Sequence, residues 1–228
     1  MPMPSVVYLP STSAPGPWQM AADEVMLERA AEGESSLRFY TWDPATVSLG
    51  YFQKHAERQA NPTLAKYPWV RRCTGGGAII HEGDLTYAFA LSPAVRAGRT
   101  AKEWHDRFHE ALSAVLQQRR IEAQVQGGPR PSQEQLDYLC FTVPQPGDVI
   151  LAGRKVIGGA QRLRRGALMQ HGSIQLPAVV NHAGLLAKAV AGALGWQLQV
   201  RPWTEAELKR IDALATGKYS VPAWNEKR

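Results

Sequence analysis

The stretch Arg71-Arg72-Cys73-Thr74-Gly75-Gly76-Gly77-Ala78-Ile79-Ile80-His81 places three consecutive glycines between two apolar runs, Trp69-Val70 and Ala78-Ile79-Ile80. Consecutive glycines cost backbone entropy and pack nothing. A fold keeps them where the chain must turn with positive φ, or where backbone N–H groups must come close to a ligand. A plain Gly-rich hairpin turn would account for the glycines alone equally well. A second stretch, Gly153-Arg154-Lys155-Val156-Ile157-Gly158-Gly159-Ala160-Gln161, again sets basic residues against glycines, and the two together favour a binding site over a turn.

Working outward, residues 69–72 and 78–81 read as strands flanking the glycines, and 85–91 as a further strand with Tyr87 and Phe89 on one face. Upstream, 6–9 suggests an early edge strand. Residues 18–31 have helical spacing closed by Gly33, 37–42 and 46–49 are strands, and 56–66 is a helix limited by Pro62. Downstream, 100–120 is an amphipathic helix with Trp104, Phe108, Ala111, Leu112 and Val115 in one stripe. His105 and His109 share its i,i+4 spacing; polar flanking positions explain that pair better than a metal does. Residues 127–134 form a Gly-rich loop without the Gly-Lys-Ser/Thr ending of a P-loop. Residues 148–151, 155–157 and 167–176 are strands. Residues 181–194 form a helix capped by Asn181, and 204–216 a last helix ending at Gly217. Strands and helices mix without a regular βα repeat. The class is therefore α+β, with a mixed or largely antiparallel central sheet flanked by helices.

The chain has 228 residues, of which 44% are hydrophobic and 20% charged, an ordinary globular composition expected to form one catalytic-size domain over 1–228. No apolar run approaches the roughly 20 residues of a bilayer span, and no secretory signal is evident, so a cytoplasmic protein without membrane association is expected. Two cysteines, Cys73 and Cys140, do not make a disulfide framework and read as free thiols. No compact ligand cluster supports a metal. The net charge of +6 suits an anionic partner, but the basic residues are scattered and lack aromatic interleaving, which argues against nucleic acid.

Several segments, in order, resemble the biotin/lipoate protein ligase superfamily. They are Trp18-Gln19-Met20-Ala21-Ala22-Asp23-Glu24, the strands 37–42 and 47–53, the loop Arg71-Arg72-x-Thr74-Gly75-Gly76-Gly77-Ala78-x-x-His81, then Gly153-Arg154-Lys155-Val156-x-Gly158-x-Ala160-Gln161 and His171-Gly172-Ser173. Cys140-Phe141-Thr142-Val143-Pro144 stands where the cysteine-dependent octanoyltransferase branch has Cys-Phe-x-x-Pro. Gly159 departs from the usual serine, Cys73 from the usual Ser, Pro or Thr, and Pro144-Gln145-Pro146-Gly147 from Pro-Ser-x-Tyr.

The resemblance implies the catalytic-domain fold of that superfamily, without a separate C-terminal accessory domain. It implies transfer of an octanoyl group from acyl carrier protein to a lysine of a lipoyl-acceptor domain, such as glycine-cleavage H protein or a 2-oxoacid dehydrogenase E2. No cofactor is needed, and a monomer is expected. An ATP-dependent lipoate–protein ligase, using ATP and magnesium, is the alternative. A non-catalytic relative that binds lipoyl or carrier domains is another.

The chemistry asks for these residues. A cysteine thiolate splits one difficult transfer into two steps, and a nearby cation favours the thiolate. Cys140 is the candidate nucleophile and Lys155 the candidate cation and proton shuttle, brought together if strands 148–152 and 154–158 form a hairpin. Cys73, beside the glycines, is the rival nucleophile. The Gly75-Gly76-Gly77 loop with Thr74 would hold the thioester carbonyl through backbone N–H groups. Arg71 and Arg72 could meet the carrier's phosphopantetheine phosphate. His81, Gly158, Gly159, Ala160, His171 and Gly172 are expected to line the site, with Ile79, Ile157 and Met169 as apolar walls.

Overall fold

The computed structural model describes residues 3–129 and 137–228. The part of the 127–134 loop from 130 onward therefore lies outside the described residues. Among the described residues eleven strands run in chain order: β1 Ser5–Ala14, β2 Ser36–Trp42, β3 Thr46–Leu49, β4 Trp69–Arg71, β5 Ile79–His81, β6 Leu85–Leu91, β7 Gln124–Val125, β8 Val149–Leu151, β9 Arg154–Arg164, β10 Ala167–Ile174 and β11 Gln197–Val200. Eight α-helices accompany them among the described residues: α1 Gly16–Ala31, α2 His55–Ala60, α3 Pro62–Ala65, α4 Pro93–Arg96, α5 Ala101–Gln118, α6 Ala183–Leu194, α7 Glu205–Leu214 and α8 Pro222–Asn225.

Eight strands form one mixed sheet in the order β11-β1-β2-β6-β10-β9-β8-β7, and β4-β3-β5 form a second, smaller sheet. β1 pairs parallel with β11 and β2, while β2, β6, β10, β9, β8 and β7 are joined antiparallel. β1 is thus an interior strand, not an edge. The partner that covers it, β11, lies nearly two hundred residues away and has too few apolar residues to announce itself.

Strand alternation decides which helices cover which face. Leu37 and Phe39 of β2 and Tyr87 and Phe89 of β6 point into a core shared with Trp104, Phe108 and Leu112 of α5 and Leu186 and Val190 of α6. Tyr40, Ala88 and Ala90 point the other way, onto Met20, Val25 and Met26 of α1 and Ile211 of α7. Each fully buried Phe or Leu contributes about 1.5–3 kcal/mol. Thr100 caps α5 in a capping box with Glu103, where the amphipathic stripe predicts the helix start.

Three boundaries differ from the sequence reading. Pro62 divides the 56–66 helix in two, and Asn61 caps the second part by accepting from the N–H groups of Thr63 and Leu64. Asn181 caps nothing: Pro177–His182 is a 3-10 turn leading into α6. Gly217 ends no helix, because it sits inside a wide π turn, Ala215–Tyr219, that carries the chain on to α8. Among the described residues, Pro177–Leu194 is long and apolar enough to cross a membrane by length and composition, but Leu186, Val190 and Leu194 within it pack into the core.

Candidate active site

The glycine loop seats the segment that bears Cys140. Ala78 donates to the Tyr138 carbonyl at 2.8 Å and accepts from the Cys140 N–H at 2.9 Å, while the Gln53 amide donates to the same Tyr138 carbonyl at 2.8 Å. A side chain at Gly77 would lie 2.8 Å from the Cys140 nitrogen, so only glycine allows this approach. Gly76 has φ +91, and its carbonyl lies 1.9 Å from where a Cβ on Gly50 would stand. Arg72 gathers the Gly75 and Gly77 carbonyls at 2.8 and 2.9 Å. Among the described residues, the N–H groups of Gly75, Gly76 and Gly77 meet no acceptor within the protein. Free donors beside a thiol form the arrangement that an oxyanion hole requires.

Lys155 arrives by the hairpin that the spacing suggests. β8 and β9 turn through Ala152 and Gly153, both with positive φ, the conformation of a tight two-residue hairpin turn. Lys155 Nζ lies 3.5 Å from Cys140 Sγ and 2.8 Å from Asp148 Oδ2. The Lys155 and Asp148 side chains are buried, and Cys140 is half-buried. A Cβ on Gly158 would fall 2.4 Å from Lys155 Cε, so this glycine clears the space in which the lysine folds back. Asp148 also accepts from the Gln145 N–H at 2.7 Å, which ties the turn after Cys140 to the carboxylate that holds the lysine. Removing one partner of such a buried pair would leave the other charge uncompensated.

Behind the loop runs a buried network. Arg38 and Asp23 form an ion pair at 2.6 Å, and His171 Nδ1 donates to Asp23 Oδ2 at 2.7 Å. Burial alone would raise the Asp23 carboxyl, but Arg38 and His171 hold it below the usual range. Burial pushes His171 down despite Asp23, so the ring is neutral, Arg38 is the true counter-charge, and Nε2 accepts from Thr74 Oγ1 at 2.5 Å. His81 is held the same way. Its Nδ1 donates to Asp84 at 2.9 Å, its Nε2 accepts from Ser48 at 2.8 Å, and its ring stacks on Trp42 at 4.0 Å.

These groups surround a cleft of about 330 Å³, within the usual range of small-ligand sites. Arg72, Gly75, Gly76, His81, Cys140, Lys155, Gly158, Gly159, Ala160, His171 and Gly172 all line it. Thr74 stands behind, on His171, and Gly77 behind, on Cys140.

The arginines are used differently from the reading above. Arg71 is fully buried and donates to the carbonyls of Asn225, Gly50, Tyr51 and Gln53; Arg72, also buried, donates to Ser48, Gly75 and Gly77. Both shape the loop from inside; Arg71 does not line the cleft, whereas Arg72 also does. Of the expected apolar walls only Ile79 lines the cleft; Ile157 and Met169 belong to the cores on either side of the sheet. Met20, Tyr40 and Trp42 supply the wall instead.

Cys73 is buried, and desolvation, with Glu24 and Asp23 nearby, pushes its thiol up to about 12. That environment opposes a thiolate. His109 is engaged at both ring nitrogens, Nδ1 donating to the Gly147 carbonyl and Nε2 accepting from Tyr87 at 2.6 Å. The Tyr87 hydroxyl lies 2.5 Å from a Cβ built on Gly159 and 2.6 Å from one on Gly172, which explains why no serine fits at 159. Asp148, Asp23, Arg38 and Tyr87 are the site residues that sequence reasoning missed. Asp23 and Arg38 lie within segments that carry the family resemblance; Asp148 and Tyr87 do not.

A glycine loop, a cysteine and a lysine thus meet at one cleft. Residues 15–191 match the family described as Lipoyl protein ligase A/B catalytic domain, and the chain belongs to it. Among curated relatives, the octanoyltransferase LipM of Carboxydothermus hydrogenoformans is 37% identical over 172 residues, covering 73% of this chain and 63% of its own length. The octanoyltransferase LipM of Symbiobacterium thermophilum is 30% identical over 262 residues, covering 94% of this chain and 95% of its own. The chain thus spans less than two-thirds of the first of these and nearly all of the second. Among solved structures, a bi-partite lipoate protein ligase from Thermoplasma acidophilum, described with its E2 lipoyl domain, superposes with a TM-score of 0.71 at 20% identity. That match covers 98% of this chain and 96% of the other, and it supports the fold.

Proposed function

We propose that this chain transfers an octanoyl group from the thioester of an acyl carrier protein to a lysine of a lipoyl-acceptor domain, through an acyl-enzyme on Cys140. The carrying observation is the Lys155 ammonium 3.5 Å from Cys140 Sγ, anchored at 2.8 Å by Asp148, beside unpaired loop N–H groups and an apolar wall. The octanoyltransferase names of the relatives favour this reading.

The Cys140 thiolate attacks the thioester carbon, and the developing oxyanion meets the N–H groups of Gly76 and Gly77. The carrier's sulfur leaves with the proton of Lys155. The acceptor amine then attacks the acyl-enzyme and gives its proton to Lys155, and Cys140 departs as thiolate. Thioester exchange is nearly isoenergetic, and the amide makes the second step downhill. The transfer needs no ATP, and we place it in the cytoplasm, where both cysteines stay reduced. The test is mass spectrometry after incubation with octanoyl carrier protein. Wild type and Cys73→Ala gain the octanoyl mass; Cys140→Ala does not. An adduct surviving in Cys140→Ala would overturn the mechanism. AMP release from ATP and free lipoate would instead make the chain a ligase.

A further inference from the structure

The second step must shed one more proton than Lys155 can take. A lysine side chain arrives as an ammonium, because its ordinary pKa of about 10.4 leaves roughly one amine in 10³ neutral at pH 7. Its nitrogen carries three protons and the amide product keeps one, so two must leave. Lys155, neutral after protonating the carrier's sulfur, takes one. Cys140 departs as thiolate and takes none. The other proton needs a second base, or the acceptor must lose it to solvent before it enters.

His81, His105 and His171 line the cleft, and His109 lies beside His105 on α5, their ring centroids 4.3 Å apart. His81, His109 and His171 have both ring nitrogens bonded within the protein. Among the described residues His105 has a partner only at Nδ1, the Asp106 carboxylate at 3.4 Å, which leaves its Nε2 free. The ring lies against the turn that bears Asp148. A Cβ on Gly147 would fall 2.8 Å from both Cε1 and Nδ1 of His105, so glycine at 147 is what admits the imidazole.

Lys102, Asp106, Gln145 and Gln161 line the same cleft and make part of it polar, in contrast to the wall of Met20, Tyr40 and Trp42. Asp106, Lys102 and His109 face His105 from its own helix, and Asp148 faces it from the turn before β8. Burial holds the ring below the usual histidine range, Lys102 acts in the same direction, and Asp106 and Asp148 oppose them. The imidazole is therefore neutral at pH 7 and able to accept a proton. While Lys155 is neutral, Asp148 lacks the charge that balances it, so the site favours an incoming cation.

Resting on the acyl-enzyme reading above, we propose that His105 is the base of the second step, its Nε2 taking one proton from the acceptor's ammonium. The neutral amine so formed attacks the thioester carbon; the C–N bond forms, the C–S bond to Cys140 breaks, and the amine's next proton goes to Lys155. His105 returns its own proton to solvent. It has no part in the first step, in which no ammonium enters.

The two half-reactions separate this role from a structural one. On the full chain, acylation by octanoyl carrier protein and single-turnover transfer to the acceptor domain are each followed by mass spectrometry, for wild type and His105→Gln. At about pH 7 transfer should slow at least tenfold in the variant, with acylation within about threefold of wild type. The ratio of wild-type to variant transfer should shrink toward unity as pH approaches about 10, where solvent supplies the neutral amine. Hydroxylamine, already a neutral amine at pH 7, should release the octanoyl group from both proteins at rates within about twofold. A smaller effect on transfer at pH 7, a ratio that does not change with pH, or equal slowing of acylation or of hydroxylamine release overturns the proposal. Should the variant not fold, wild type decides alone: transfer at saturating acceptor should fall at least threefold from about pH 7 to about pH 5, and an unchanged rate overturns it. Absence of any octanoyl adduct on wild-type Cys140 would strike the acyl-enzyme reading instead, and the two failures are distinguishable.

Discussion

The two cysteines flank the same glycine loop and live in opposite surroundings. Cys73 precedes the glycines on the chain and points into the core against Met20, Val25 and Tyr219, near the carboxylates of Glu24 and Asp23. Cys140 reaches the loop from far along the chain, its N–H donating to the Ala78 carbonyl, half-buried at a cleft and 3.5 Å from a lysine nitrogen. The same side chain meets burial and negative charge in the first setting, and an open cleft with a lysine nitrogen in the second. Burial and negative charge oppose a thiolate.

The contrast can be broken most sharply by removing the cation. Lys155→Ala should lower the rate of acyl-enzyme formation by about 10²–10⁴-fold, while Cys140 remains countable by denatured-state thiol titration. Rapid-quench mass spectrometry measures it, and a rate within threefold of wild type would show that the lysine is a bystander.

A second way in is selective alkylation. At pH 8 iodoacetamide should label Cys140 at least 10²-fold faster than Cys73, and Cys73 should become reactive in the folded protein only as pH rises toward its thiol value of about 12. Because that value is raised on folding, the stabilisation linked to the Cys73 thiol is complete below the unfolded thiol range near 8.5 and fades as pH climbs through the folded value. Peptide mapping of labelled protein across pH gives both numbers.

The loop that separates the cysteines provides the smallest effects. Gly77→Ala drives a methyl into the Cys140 backbone and should destabilise by about 1–3 kcal/mol, with lower activity. At Gly75 the nearest atoms to an added methyl are those of Phe52, at 3.8 Å, and Gly75→Ala should stay within about 0.5 kcal/mol of wild type. Thermal unfolding with an activity assay separates the two; equal losses would mean the loop is sensitive to chain entropy alone.

What could be read in advance follows sequence distance. Cys140 and Lys155 are 15 residues apart and joined by a hairpin, so their meeting was legible from local pattern. Asp148, which anchors that lysine, escaped notice although it is close in sequence. The register irregularity between Val149 and Ile150 leaves no mark in residue types. Arg71 and Arg72 were expected at a phosphate, yet both are buried against backbone carbonyls. Asn225, whose carbonyl and side chain receive Arg71, lies 154 residues away. The pair Asp23 and His171 is separated by 148 residues, and its charge-holding partner Arg38 sits on a different element again.

Taken alone, the sequence determined the element types, through the period of the apolar positions along α5 and β6, and the places where only glycine could stand. The resemblance of the Cys140 and Gly153–Lys155 motifs to the family, and not their spacing, made a thiol and an ammonium group the expected chemistry. The tertiary structure decided which cysteine meets solvent, which arginines turn inward, and which apolar side chains face the cleft instead of the core. Those outcomes depend on burial and on partners far along the chain, and neither quantity exists until the sheet has brought distant segments into contact.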